Sequence, residues 1–285
     1  MTHHHMRLNR SPGGDVAIYI VLILFGFFMV LPLVYAISTS LKPLNEIWIF
    51  PPRYFVRNPT TQNFKTLFAL LEESQVPLSR YVFNTVFISA VGTAGHVIVS
   101  SLCAYALAKH HFRGKNVLFN IVVLSLMFTG SVTALPNYII MTKLHLIDTY
   151  AALILPAVAA PLGLYLMKQF MEQMVPDAIL EAAKLDGAGE LYMFRKIVMP
   201  MVKPAWLTLI ILSFQGLWGT GQTNFIYTEQ LKTLNYALSQ ILAGGLVRAG
   251  AGAAAAVIMM IVPIGTFIIT QSNIIETFSS SGIKE

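Results

Sequence analysis

Six stretches of this chain are apolar over lengths that few water-soluble folds could bury. A helix needs about 20 apolar residues to cross the hydrocarbon of a bilayer, and Val16–Ile37 meets that length without one charged side chain. It is longer than the core of a signal peptide, and no convincing small-residue cleavage site follows at Tyr35 or Ser38–Ser40, so it reads as a retained span. Tyr81–Ala108, Val117–Met141, Tyr150–Phe170, Pro204–Thr220 and Ala249–Ile275 repeat the pattern. Composition agrees: the 285 residues are 55% hydrophobic and only 11% charged, against about a quarter charged in soluble domains, and mean hydropathy is +0.66. The expected fold is therefore an all-α polytopic membrane protein with six transmembrane helices. Residues 16–275 would form the membrane domain, with a polar segment 1–15 before it and a tail 276–285 after it. His3–His5 can be native or a cloning remnant and carry no argument.

One long stretch resists this pattern. Residues 171–203 hold Lys184, Asp186, Glu190, Arg195, Lys196 and Lys203, too many charges for hydrocarbon, where each costs several kcal/mol. The stretch must lie in water between the fourth and fifth spans. Its pattern predicts two short helices about a glycine turn: Asp177 as a cap for the first, which runs to Leu185, and Gly187 in the left-handed position past its end. From Glu190 the apolar Leu191, Phe194, Ile197, Val198 and Met201 recur at helical spacing, with Arg195 and Lys196 on the other side, and Pro200 and Pro204 then bend the chain.

The remaining loops set the orientation. Lys109–Lys115 is a short basic loop, the strongest marker of a cytoplasmic face. Six spans then place both termini and the charged loop in the cytoplasm. Lys42–Arg80 and Gln222–Arg248 become external loops, and Asn58–Phe68 within the first predicts a turn and a short amphipathic helix. The formal charge of +6 is explained by Lys and Arg facing the cytoplasmic leaflet, since no basic run or nucleic-acid motif is present. The single Cys103 excludes an intrachain disulfide and a thiolate metal site, and reads as a small buried hydrophobe.

Glu181-Ala182-Ala183, then Asp186-Gly187-Ala188, then Ile197 and Pro200, resemble the EAA loop of ABC-importer permease subunits; Met199 stands where that pattern has Leu. Phe112–Lys115 and the tail Ser280–Glu285 are similar to the smaller permease of binding-protein-dependent carbohydrate importers. Leu231–Ile241 and Thr270–Phe278 look like its oligosaccharide branch. The resemblance spans Val16–Glu285. It implies a permease of the bacterial plasma membrane that pairs with a second permease, forming a heterodimeric path for a sugar or oligosaccharide. It further implies an ABC ATPase dimer and an extracytoplasmic solute-binding protein as partners, with ATP and Mg held by the ATPase. This chain would bind no cofactor and no metal. No GxxxxGK[ST] phosphate loop is present, so the chain cannot hydrolyse ATP alone.

The same resemblance marks Glu181, Ala182, Ala183, Asp186, Gly187 and Pro200 as the surface through which the ATPase would move the spans. Polar residues at membrane depth supply candidates for the path. His96 is either one of them or a neutral imidazole bonded to Ser100 or to a neighbouring helix. Thr133 and Asn137 fit a hydrophilic path or bonds between helices equally. Gln215, Trp218 and Asn224 are candidates at its mouth, Trp218 being also a natural interface anchor. Tyr227 and Glu229 in the last external loop would touch the binding protein, and Lys284 in the tail the ATPase. The small residues Ala249–Ala256 read as helix packing. Rival readings are an ABC permease for a non-sugar solute and an ion-coupled secondary transporter; the latter predicts internal repeats with broken helices in both halves, and the sequence shows none. A membrane hydrolase would need motifs that are absent.

Overall fold

The computed structural model describes residues 12–72, 76–220 and 224–282. Most of the polar start with His3–His5, Gln222 in the last long loop, and Lys284 with the rest of the extreme tail lie outside them. All regular structure among the described residues is helical. Four helices are long and apolar enough to cross a membrane: α1 (Pro12–Ser40), α3 (Leu78–Lys109), the run Ala151–Met174, and α12 (Ala249–Gly282) over its first 23 residues. Two further pairs reach that length only if each bent pair is taken together, so the candidate spans number four to six.

Among the described residues, the first compact unit joins 12–69 to 241–257. In the first turn of the amphipathic helix α2 (Gln62–Glu72), Asn63 buries its amide and donates to the Ser40 and Lys42 carbonyls, both at 2.8 Å. The Glu46 carboxylate accepts the Arg57 and Asn58 amides, so the proline-rich loop is closed on itself. Small residues at the start of α12 permit close packing: a Cβ on Gly250 would lie 2.3 Å from Asn63 Oδ1, and Ala254 and Ala255 are fully buried.

The second unit, residues 70–240 with 258–285, is built around α3. It packs against α6 (Ala151–Val158), α7 (Pro161–Met174) and α10 (Lys203–Trp218). The break between α6 and α7 falls where Pro161 needs no amide partner and starts the next helix. Gly92 of α3 lets Leu217 of α10 approach so closely that a Cβ would sit 2.6 Å from it.

The third apolar stretch is not one straight helix. It forms α4 (Lys115–Ser125) and α5 (Gly130–Lys143), inclined by 112° at a break over residues 126–129. Thr129, extended at φ −74° and ψ 155°, starts the second helix, and its carbonyl takes the amides of Val132 and Thr133. Cys103 also departs from expectation, being exposed on α3 beside Leu102. Apolar neighbours along a spanning helix do not distinguish a protein core from a lipid-facing side, and here the residue takes the outer side.

Candidate functional site

The charged stretch forms a hairpin of α8 (Asp177–Leu185) and α9 (Glu190–Met201). Asp177 is the first residue of α8, not its cap. Pro176 occupies the cap with no side-chain bond, and the Asp177 carboxylate instead pairs with Lys109 at 2.7 Å. The Lys109 ammonium also donates to the Val175 carbonyl at 2.6 Å, joining the end of α3 to the root of the hairpin. Those bonds from Lys109 hold the Asp177 carboxyl below its ordinary range.

Gly187 adopts φ +82°. The Gly187 amide reaches the Lys184 carbonyl at 3.0 Å and the Ala188 amide the Ala183 carbonyl at 2.9 Å, the paired bonds of a Schellman turn. Across it, Glu190 accepts from Lys184 at 3.0 Å and from the Tyr105 hydroxyl at 2.9 Å, with His110 Nε2 at 3.5 Å. The Lys184 bond is the largest influence and lowers the Glu190 pKa; burial, next in size, opposes it, and the Tyr105 bond adds to the lowering, so the net shift is downward. Inside α9, Phe194–Val198 widens to a π-turn directly before Pro200, with the Met199 amide reaching back to Phe194. The chain turns by 82° into α10, and the Met199 carbonyl is taken by Trp206 Nε1 at 3.0 Å.

The hairpin has a buried side and a bare side. Leu180, Met193 and Val198 enter one apolar cluster with Ala104, Tyr105, Met167 and Met171 of the helix core. Glu181, Ala182, Asp186 and Gly187 are exposed, as are Leu185 (90%) and Leu191 (73%). A shallow recess borders Ala183, Asp186, Gly187 and Tyr192. Of the marked residues, Glu181, Ala182, Asp186, Gly187 and Pro200 therefore lie on the open surface, and Ala183 is half-buried at its edge.

A cavity of about 580 Å³ lies among α3, α5, α6 and α10. His96, Thr133 and Asn137 line it together, with Ser213, Thr220 and Asn224, and among the described residues no Asp, Glu, Lys or Arg takes part. His96 Nε2 lies 3.1 Å from the Ala160 carbonyl, which can only accept, so Nε2 carries the hydrogen. Nδ1 then accepts from the Ser213 hydroxyl at 2.5 Å, and the neutral ring is satisfied by neighbouring elements, not by Ser100. Gly163 leaves the space, since a Cβ there would fall 2.3 Å from His96 Nε2. Gly130 lines the cavity at the α4–α5 break, as irregular backbone at membrane depth requires. Gln215 and Trp218 are not in the lining. Trp218 is buried against Phe214, and its carbonyl accepts from Asn235. Ser213 and Thr220 went unmarked because isolated hydroxyls in an apolar run are usually bonded within the helix.

Beyond the cavity, the segment around residues 225–232 is fastened to the N-terminal end of α3 and to the α5–α6 connection. Asp148 accepts the amides of Tyr227 (3.0 Å) and Thr228 (2.8 Å) and the Thr228 hydroxyl, chiefly through which its carboxyl is held low. Tyr227 is 60% exposed, its hydroxyl 3.0 Å from that of Tyr138. Glu229 is engaged within the chain by Tyr81 at 2.8 Å and Lys232 at 2.5 Å. Burial raises its pKa, but those two partners outweigh burial and the net shift is downward.

This arrangement is that of a membrane translocation subunit, and comparison with known proteins agrees. Residues 96–277 match the family described as binding-protein-dependent transport system inner membrane component, and the chain belongs to that family, the permease subunits of ABC importers. It is 32% identical over 225 residues to protein LplC of Bacillus subtilis, covering 76% of this chain and 72% of that one. It is also 32% identical over 223 residues (75% and 72%) to the polygalacturonan/rhamnogalacturonan transport system permease YtcP of the same organism. The crystal structure of a bacterial ABC transporter involved in import of the acidic polysaccharide alginate contains a chain of the same fold, with TM-score 0.77 and 20% identity over 93% of this chain and 99% of that one.

Proposed function

We propose that this chain forms, with a second permease, the translocation path of an ABC importer for a neutral oligosaccharide, and that the α8–α9 hairpin couples the path to ATP hydrolysis. The lining of the His96 cavity carries the substrate reading: among the described residues it sets the hydroxyls of Thr133, Ser213 and Thr220 and the amides of Asn137 and Asn224 in a largely apolar wall, with no charge. Such groups replace the water around sugar hydroxyls one bond at a time. Relatives named for saccharides include the arabinooligosaccharide permease AraQ of Bacillus subtilis at 28% identity, while YtcP is named for the acidic polygalacturonan, so the neutral reading rests on the cavity. A non-sugar solute has precedents in the sn-glycerol-3-phosphate permeases UgpE of Yersinia enterocolitica at 27% and Yersinia pestis at 28%. The cavity presents no cation to a phosphate, and an acidic sugar would have to find its cation on the second permease. Burying His96 between Ser213 and Ala160 also gives it no free nitrogen for a proton relay, which argues against ion coupling.

In this reading the bent pair α4–α5 is one span, while α10 crosses by itself and α9 stays in water. The six spans are then α1, α3, α4–α5, α6–α7, α10 and α12, with both termini and the hairpin in the cytoplasm of a bacterial cell. Glu181, Ala182, Ala183, Asp186, Gly187 and Pro200 face an ATPase dimer that holds ATP and Mg. The firm root and bare outer side of the hairpin suit a lever: force applied there reaches α3 and α10 through the Lys109–Asp177 pair and the apolar cluster. Tyr227 lies where a solute-binding protein would dock, while Glu229 serves to brace that loop.

The test is reconstitution of this chain with its second permease, ATPase and binding protein in liposomes. Uptake of oligosaccharide that needs ATP and the binding protein, and that Glu181→Lys abolishes while ATP hydrolysis continues, is the expected outcome. Solute movement by this chain alone down an ion gradient would overturn the proposal.

A further inference from the structure

We infer that Tyr138, Tyr227 and Tyr236 form an aromatic vestibule that receives one sugar ring of the oligosaccharide before it enters the His96 cavity. The inference rests on the saccharide reading above and adds to it a second binding site with its own chemistry.

A separate cavity of about 560 Å³ is bordered by Ala134, Tyr138, Asn224, Ile226, Tyr227 and Tyr236. Ala134 and Asn224 also border the His96 cavity, so the two spaces adjoin across these residues. Three tyrosines from three parts of the chain thus surround one space next to the polar cavity. Aromatic belts also set tyrosines near membrane surfaces, but there the rings stand among lipid headgroups and do not converge.

The rings are held in place, as a binding platform requires. Tyr138 stacks on Phe225 with centroids 6.4 Å apart and planes 13° from parallel. Tyr227 sits on backbone fixed by Asp148, and its hydroxyl meets that of Tyr138. Lys232 places its ammonium 4.5 Å from the centroid of Tyr236 while paired to Glu229. Yet Tyr227 remains 60% exposed. An immobilised, exposed aromatic side chain spends little conformational entropy on binding a ligand.

The chemistry fits a sugar ring. One side of a pyranose is a patch of C–H groups that packs on an aromatic face, while its rim of hydroxyls needs bonds of the kind that phenol groups and the Asn224 amide supply. A ring leaving the binding protein would rest on these aromatic faces, then pass Asn224 to the hydroxyls and the Asn137 amide beyond.

The experiment uses the complete transporter in liposomes, with tritiated oligosaccharides of two to four units from xylan, arabinan and polygalacturonate as probes. Tyr138→Ala with Tyr236→Ala is expected to lower sugar moved per ATP hydrolysed by about tenfold, the loss of two stacking contacts, while the binding protein still stimulates hydrolysis. Tyr138→Phe with Tyr236→Phe keeps the rings and should stay within about twofold of the parent. An unchanged ratio in the alanine variant, a phenylalanine variant as poor as it, or loss of stimulation in step with uptake would each overturn the vestibule. A parent transporter that moves none of the probes would overturn the saccharide reading and the vestibule together.

Discussion

The two ends of α3 are tied to their surroundings by the same device and left open in opposite ways. At one end Lys109 holds Asp177, and Tyr105 with Lys184 holds Glu190. At the other, Tyr81 and Lys232 hold Glu229, and Asp148 gathers the amides of Tyr227 and Thr228. Each carboxylate is spent on fixing a loop. What stays free at the first end is a projecting surface on which Ala182, Leu185 and Leu191 stand beside the exposed carboxylates of Glu181 and Asp186. What stays free at the second is concave and lined with rings and amides. A protruding, partly apolar surface suits a protein partner, and a hollow of neutral polar groups suits a small polar solute. The common anchoring gives both open surfaces a firm base on α3, as the proposed coupling would require.

Removing an anchor should do more harm than altering a surface, and Asp148 gives the largest effect. Asp148 has φ 62°, so alanine there loses three hydrogen bonds and gains left-handed strain, together about 2 kcal/mol. Asp148→Asn keeps a good left-handed residue and one acceptor and should lose less than half of that. Thermal unfolding of the purified complex in detergent measures both. Equal losses for Ala and Asn would mean that the charge, and not the bond geometry, holds the segment.

These anchors mark where sequence reasoning stops. The hairpin was legible because its signals are local: Gly187 at the expected left-handed turn, and Leu191, Phe194, Ile197 and Val198 at helical spacing. The polar interruption at Thr129–Ser131 announced a weak point in the third apolar stretch, but its 112° bend depends on what α4 and α5 pack against. His96 stood out as a polar group at membrane depth, while its partners Ser213 and Ala160 lie 117 and 64 residues away. Lys109 and Asp177 are separated by 68 residues, and nothing near Asp177 shows that it will find a cation instead of capping its own helix. Gln215 and Trp218 were drawn in by residue type alone. On a helix, a shift of one or two positions moves a side chain from the cavity to the core, and Ser213 and Gly216 took the facing positions.

At the hairpin end, Gly187→Val tests whether shape alone matters. A Cβ at Gly187 would meet nothing within 4 Å, so the variant acts only through the backbone, where φ +82° disfavours a β-branched residue by about 1–2 kcal/mol. Membrane insertion should persist and uptake per ATP should fall; Gly187→Asn, which tolerates that conformation, should retain most coupling. Full coupling in the valine variant would separate the turn from function.

The smallest effect expected within the working pH range concerns both ends together. Asp148, Asp177, Glu190 and Glu229 all have pKa values lowered by their partners, Thr228 first for Asp148, Lys109 for Asp177 and Lys184 for Glu190; for Glu229, burial opposes the shift that Lys232 and Tyr81 produce. A carboxyl with a depressed folded pKa contributes its stability above the unfolded value, about 4, and loses it as pH falls through the folded value. Between pH 8 and pH 5 these four groups should leave the unfolding temperature unchanged. Below about pH 4 it should drop as both anchors release, and the drop should be shallower in Asp148→Asn, which has removed one of the titrating groups. If that variant falls as steeply as the parent, Asp148 is not what acid releases, and the anchoring at the Tyr81 end belongs to Glu229 alone.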